Sequence, residues 1–112
     1  MAVRICALAD IIPNSGVAAL VDGEQVAVFR MADDSVHVVG NVDPFSRASV
    51  LSRGIVGDLR GELVVASPVY KQHFELLTGR CVEDATVRIP VYQARVEDGC
   101  VVVEPGKHAA TP

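Results

Sequence analysis

The sequence predicts an all-β domain, an antiparallel sandwich or barrel of about ten short strands. Turn-forming residues recur every six to twelve residues, and no segment shows a convincing helical period. Half of the 112 residues are apolar, yet only 4% are aromatic, so the core must be built mainly from Val, Ala, Leu and Ile. Branched side chains such as Val favour strands over helices. A chain of this length forms one domain whose stability requires neither a disulfide nor a metal.

The first strands are marked by turn residues on either side. Residues 2–8 alternate loosely and predict a strand that ends at the turn formers of residues 12–16. Two apolar runs then flank Asp22-Gly23, a pair that strongly favours a hairpin. Because successive side chains of a strand point to opposite faces, the second arm divides into Val26 and Val28 on one face and Ala27 and Phe29 on the other.

The middle of the chain predicts further strands separated by a long loop. S-V-H-V-V follows the next turn, and a mid-strand His37 without neighbouring ligands is interpreted as structural. Residues 41–61 carry three glycines and a proline, which is typical of a functional loop, with a short strand near Ile55. The strands E-L-V-V-A and H-F-E-L then enclose the loop S-P-V-Y-K.

The C-terminal part predicts a second hairpin. V-Y-Q-A-R-V-E and C-V-V-V-E flank Asp98-Gly99 and form its two arms. The domain therefore extends over residues 1–104. The remaining residues, 105–112, offer little to bury and are predicted to be disordered.

Composition argues against several function classes. Ten basic and fourteen acidic residues give a net charge of −4 without any basic run, so nucleic acid is not expected as a partner. No apolar run approaches membrane-spanning length, and a cytoplasmic location without membrane contact is expected. The cysteines are odd in number and far apart, which predicts buried thiols in a reducing compartment: Cys6, Cys81 and Cys100. Zinc spacing, phosphate-binding glycine loops and a serine-nucleophile elbow are absent from the sequence, so no catalytic residue can be named.

Two loops carry a resemblance to a known family. N-V-D-P-F at 41–45 and S-P-V-Y at 67–70, followed by F-E-L-L-T-G at 74–79, resemble the cluster-binding loops of a Rieske domain. In that family Cys-x-His and Cys-x-x-His hold a [2Fe–2S] centre. The resemblance implies a Rieske-like antiparallel β-sandwich. The four ligand positions are occupied here by Asp43, Phe45, Ser67 and Tyr70. We therefore expect neither a metal site nor any other cofactor in this chain.

The longer stretches 41–54 and 61–84 resemble a narrower group, the small subunit of assimilatory NAD(P)H-dependent nitrite reductase. That resemblance implies a partner, the large subunit, which carries FAD, sirohaem and a [4Fe–4S] cluster and reduces nitrite to ammonium. This chain would support assembly, stability or electron transfer without catalytic residues of its own. The alternatives are a free-standing, cluster-free module for protein interaction and a [2Fe–2S] ferredoxin-type electron carrier.

Without a cluster, other contacts must hold the two loops together. We expect Phe45, Val69 and Tyr70 to pack across the gap, while Asp43 accepts a hydrogen bond from Ser67. The alternative is that these aromatic side chains are ordinary loop residues. The basic residues around the loops are a candidate interface with the large subunit, or else a solvated charged surface: Arg47, Arg53 and Lys71.

Overall fold

The computed structural model describes residues 2–104 and the backbone of residues 108–109. The described residues form eleven strands in antiparallel sheets, which confirms the all-β prediction. These strands are β1 (Val3–Ala7), β2 (Ser15–Val21), β3 (Glu24–Arg30), β4 (Val36–Gly40), β5 (Ile55–Leu59), β6 (Glu62–Ala66), β7 (His73–Glu75), β8 (Pro90–Tyr92), β9 (Ala94–Glu97), β10 (Cys100–Val103) and β11 (His108–Ala109). Two single-turn 3₁₀ helices cover Leu8–Asp10 and Leu51–Arg53, and the described part of the chain has no helix long and apolar enough to cross a bilayer.

The strands form three sheets around two cores. The order β11-β8-β4-β3-β2 makes a five-stranded sheet, and β1-β10-β9 and β5-β6-β7 make two three-stranded sheets. One core contains buried residues of β3, β4, β6 and β7, and the other contains buried residues of β3, β4, β8 and β10. The five-stranded sheet therefore contributes to both cores, one shared with each three-stranded sheet.

Strand β3 is buried on both faces. Ala27 and Phe29 belong to the core shared with β6 and β7, whereas Val26 and Val28 belong to the core shared with β10. This is the division that the alternation predicts. All four side chains are fully buried, and burying a Val or Phe side chain contributes about 1.5–3 kcal/mol.

Three tight turns connect hairpins. Asp22-Gly23 joins β2 to β3, and Asp98-Gly99 joins β9 to β10. Both residues of each pair have positive φ, as the favoured two-residue hairpin turn requires, so both predicted hairpins are confirmed. A third hairpin joins β5 to β6 through Arg60-Gly61, with φ of 54° and 88°. This strand pair extends beyond the short strand predicted near Ile55.

The predicted arm V-Y-Q-A-R-V-E is two strands rather than one. Gln93 separates β8, which pairs with β4, from β9, which pairs with β10. The chain thus changes sheets where the sequence alternation continues unbroken. The short strand β11 pairs with β8. Disorder is predicted for residues 105–112. Of these, only the backbone of residues 108–109 belongs to the described part of the chain, and the others lie outside it.

The cysteines differ in their burial. Cys81 is fully buried, as predicted, but Cys6 and Cys100 are only half-buried, so that prediction is wrong for these two. They lie in the outer sheet, on edge strand β1 and at the start of β10, where neighbouring strands cover them incompletely. Burial is the largest influence raising the pKa of both the Cys6 and Cys81 thiols, which disfavours the reactive thiolate.

Candidate functional site

Two loops with the same backbone arrangement lie at the ends of β4 and β6. In the first loop, the N–H of Asp43 donates to the carbonyl of Ala48 at 2.9 Å. In the second, the N–H of Ser67 donates to the carbonyl of Gln72, also at 2.9 Å. A proline follows the first residue of each loop. We call residues 43–48 and 67–72 the paired loops.

Each loop is also stabilised by its first side chain. Asp43 Oδ1 accepts the N–H of Phe45 at 2.8 Å, and Ser67 Oγ accepts the N–H of Val69 at 3.3 Å. Short oxygen-bearing side chains commonly close turns in this way. The two loops are therefore built by the same device, with Asp in one and Ser in the other.

One hydrogen bond links the paired loops directly. Ser67 Oγ donates to Asp43 Oδ2 at 2.5 Å, and both residues are buried. The predicted Asp43–Ser67 contact is confirmed. This bond and the two turn contacts form a continuous series. The Val69 N–H donates to the Ser67 hydroxyl, the hydroxyl donates to one oxygen of the Asp43 carboxylate, and the other oxygen accepts the Phe45 N–H. A buried carboxylate thus receives donors from both loops.

The predicted aromatic packing across the gap is wrong. Phe45 contacts Phe74 of β7, with ring centroids 6.3 Å apart and an interplanar angle of 43°. Tyr70 is 61% exposed, and Val69 is also exposed. Phe74 is fully buried and continuous with the core, so it gives Phe45 more apolar surface than the tip of the second loop does. Tyr70 is left facing solvent.

Sequence reasoning missed the side chain that fixes the start of the first loop. Asn41 is buried, its Oδ1 accepts the N–H of Ser52 at 2.8 Å, and its Nδ2 lies 3.4 Å from Gln25 Oε1. These bonds hold the segment that leads to Arg53. An Asn at the opening of a loop is a recognisable signal, because its side chain readily bonds nearby backbone groups.

A second missed feature lies after β7. The buried Glu75 accepts hydrogen bonds from Thr78 at 2.6 Å and from Arg80 at 3.0 Å. The Thr78 hydroxyl is the largest influence lowering the pKa of this carboxyl; burial opposes it, and Arg80 adds to it. The following Gly79 has φ of 79°. A Cβ at residue 79 would lie 2.1 Å from the Ile89 carbonyl oxygen, so only Gly fits in the turn that follows β7.

The residues that the resemblance places at the Rieske ligand positions do not fit a [2Fe–2S] cluster. The Phe45 ring offers no donor atom for iron, and the Tyr70 phenol is a poor substitute for imidazole. Asp43 and Ser67 are hydrogen-bonded to each other. Within residues 2–104 no three His, Cys, Asp or Glu side chains are grouped so that they could hold a metal ion. The soft thiolate and imidazole donors of such a cluster are therefore missing from the paired loops.

The His and Cys that follow the second loop in the sequence are engaged elsewhere. His73 Nδ1 lies 2.6 Å from Glu83 Oε2, and Cys81 Sγ lies 3.7 Å from Glu83 Oε1. Although partial burial works to raise the pKa of Glu83, hydrogen bonds from the His73 backbone and ring outweigh it and hold that pKa below its usual range. These residues form a structural cluster beside β7 and do not replace the missing ligands.

The basic residues of the candidate interface are all exposed. Arg47 and Lys71 occupy the same position in the paired loops, four residues after Asp43 and Ser67 respectively, with φ of 63° and 66°. Arg53 ends the 3₁₀ turn just before β5. Among the ion pairs formed by residues 2–104, none involves these three side chains. The structure thus places two of the three at equivalent points of one substructure.

Comparison with known proteins identifies the family. A family profile described as a Rieske-like [2Fe-2S] domain matches residues 2–104. A protein of Salmonella typhimurium named nitrite reductase (NADH) small subunit is 52% identical over 99 residues, which cover 88% of this chain and 92% of that protein. The chain belongs to the nitrite reductase small-subunit family. The chain is Rieske-like in fold.

A solved structure and a longer protein agree with this assignment. The solution structure of the nitrite reductase [NAD(P)H] small subunit from Erwinia carotovora superposes with a TM-score of 0.81 at 41% identity, covering 99% of this chain and 86% of that one. A Klebsiella oxytoca protein named nitrite reductase [NAD(P)H] large subunit is 39% identical over 99 residues, 88% of this chain but only 10% of that protein. A small-subunit domain therefore also occurs within a longer polypeptide that bears the large-subunit name.

Proposed function

We propose that this chain is the small, non-catalytic subunit of a cytoplasmic, assimilatory NAD(P)H-dependent nitrite reductase, the enzyme that converts nitrite to ammonium. The observation that carries the proposal is the 52% identity to a nitrite reductase small subunit over almost the whole chain. In this role the chain supports assembly or electron transfer of a large subunit, which holds the FAD, sirohaem and [4Fe–4S] cluster.

The Klebsiella protein supports the partnership. A domain 39% identical to this chain makes up a tenth of a polypeptide named as the large subunit. Covalent linkage keeps two modules at high effective concentration, which is useful when they act together. A separate chain of the same family has to achieve this by binding, so it needs a docking surface.

The donor chemistry of the paired loops supports a role without an electron carrier. The Asp43–Ser67 hydrogen bond joins the loops where iron would otherwise cross-link them. We expect protein purified without air from iron-sufficient cells to contain less than stoichiometric iron and to lack cluster absorption in the visible range. Stoichiometric iron with a Rieske-type electron paramagnetic resonance signal would contradict this and favour the ferredoxin alternative.

Co-purification tests the subunit role. The tagged chain is purified from its own cells grown with nitrate as sole nitrogen source, and co-eluting proteins are identified by mass spectrometry. We expect a large sirohaem flavoprotein and nitrite-dependent NAD(P)H oxidation in the eluate. Recovery of the chain alone, while the reductase stays intact in the lysate, would refute the subunit role and favour a free-standing interaction module.

Reconstitution separates the possible contributions of the chain. The large subunit is assayed alone and after addition of this chain, and its cofactor content and sedimentation are measured together with nitrite-dependent activity. A role in assembly predicts changes in cofactor content or sedimentation. A role in electron transfer predicts a change in turnover at constant cofactor content.

A further inference from the structure

Apart from the buried Asp43, the sequence of the paired loops and of the residues around them contains no acidic residue. The segments 44–57 and 63–74 contain no Asp or Glu, although the chain as a whole has fourteen. The same segments carry three basic residues: Arg47, Arg53 and Lys71. Since these side chains are exposed and form no ion pair within residues 2–104, their charges are available to a partner. These two segments therefore carry a net positive charge in a chain that is acidic as a whole.

The backbone of the paired loops adds a second observation. Arg47 and Lys71 both adopt the left-handed conformation, which is strained for any residue with a Cβ and unstrained for Gly. Both side chains are exposed, so internal packing does not explain a long cation at either position. Non-glycine residues in this conformation cluster at functional sites, and what distinguishes these two is that they recur at equivalent points of the paired loops.

Apolar side chains lie beside these cations. Tyr70 is 61% exposed and immediately precedes Lys71. Ile55 is 78% exposed and pairs across the sheet with Ala66, the residue before Ser67, so it lies next to the second loop. Tyr and Arg are enriched among the residues that contribute most to protein interfaces.

We propose that Arg47, Arg53, Ile55, Tyr70 and Lys71 form a docking face that binds an acidic patch on the large subunit. This inference rests on the proposed function. The loop cations pair with carboxylates of the large subunit, and Tyr70 and Ile55 supply the apolar contacts between the two proteins. The Asp43–Ser67 hydrogen bond holds the loops in one arrangement, which fixes the relative position of Arg47 and Lys71 before binding.

The charge of the face selects this occupant over a second copy of the chain. A symmetric dimer through the face would bring the cations Arg47, Arg53 and Lys71 of one copy close to those of the other. Like charges placed opposite each other oppose association, whereas an acidic partner gives attraction that increases the association rate. The face therefore fits a different, acidic protein.

The test compares glycine variants that remove a cation and also relieve backbone strain. R47G/K71G removes both loop cations. R47G and K71G are also made singly, and R60G is the matched control for these single variants, because Arg60 is also exposed and left-handed but lies at the far end of β5, roughly 15 Å along the strand from Ile55. Binding of each variant to the purified large subunit is measured by biolayer interferometry at low and at high salt. Thermal unfolding confirms that each variant remains folded.

We expect R47G/K71G to bind roughly tenfold more weakly or worse at low salt, and R60G to bind within about twofold of wild type. The difference between wild type and R47G/K71G should shrink at high salt, because screening removes the attraction that the variant has lost. Y70A should weaken binding at both salt concentrations. Equal affinities for wild type and R47G/K71G would overturn the docking face alone, whereas failure of the wild-type chain to bind would overturn the subunit role as well.

Discussion

Replacement of Ser67 by Ala tests whether the buried hydrogen bond holds the paired loops together. Ser67→Ala removes the 2.5 Å donation to Asp43 Oδ2 and leaves a buried carboxylate whose remaining donor within residues 2–104 is the Phe45 N–H. A hydrogen bond to a charged group contributes about 1.5–3 kcal/mol. The lost Val69 contact costs little, since Val69 is exposed and water can replace it. We therefore expect the free energy of unfolding to fall by about 2 kcal/mol.

Thermal and urea unfolding measure this change. For a domain of this size, about 2 kcal/mol corresponds to a decrease in Tm of about 8 °C. Ser49→Ala is the matched control, because it is the same chemical change at an exposed serine, and it should shift stability by less than about 0.5 kcal/mol. A double-mutant cycle with Asp43→Ala should give a coupling of at least about 1 kcal/mol. Equal stability losses for Ser67→Ala and Ser49→Ala would refute the reasoning.

Three further predictions concern the core, the histidine and the turn. Phe74→Ala should cost about 3–5 kcal/mol in denaturant unfolding, and Tyr70→Ala less than about 1 kcal/mol; similar losses would contradict the assigned packing. His37 has a pKa lowered chiefly by burial, and its Nε2 has no hydrogen-bond partner among residues 2–104. Because the unfolded chain binds the proton more readily, the contribution of His37 to stability is full above about pH 6.5 and decreases as the pH falls below it. His37→Gln should therefore lose less stability than wild type between pH 7.5 and 5.5 in urea titrations, and parallel pH profiles would argue against it. Gly79→Ala should destabilise by well over about 1 kcal/mol, because its Cβ would collide with the Ile89 carbonyl, whereas Gly61→Ala, equally left-handed but in open space, should cost about 1 kcal/mol.

Local chemistry explains which parts of the fold could be predicted. Asp22-Gly23 and Asp98-Gly99 specify their turns, because Asp and Gly tolerate the positive φ that such hairpins need. Arg60-Gly61 adopts the same conformation but went unpredicted, since Arg at the first turn position carries no such signal. Alternation correctly divided β3 between its two faces. It could not show the change of sheet at Gln93, because an alternating segment has the same pattern in either sheet.

Only those residues of the candidate site that belong to a sequence motif could be predicted. Asp43 and Ser67 begin two loops of similar sequence, and the resemblance to a paired-loop family placed them opposite each other. The partner of Phe45 depended on tertiary position, since Phe74 lies far along the sequence on another strand. The left-handed conformation of Arg47 and Lys71 could not be predicted either, because long basic residues are not typical of that conformation.

The double burial of β3 has a consequence for how the domain opens. Alternate side chains of β3 belong to the two cores, so opening either core exposes apolar side chains of a strand that the other core also needs. Neither core can therefore unfold alone at low cost. Amide hydrogens of β3 should consequently exchange only through global unfolding, while those at the tips of the paired loops exchange through local fluctuations. The strands beneath the paired loops should therefore unfold as a single cooperative unit.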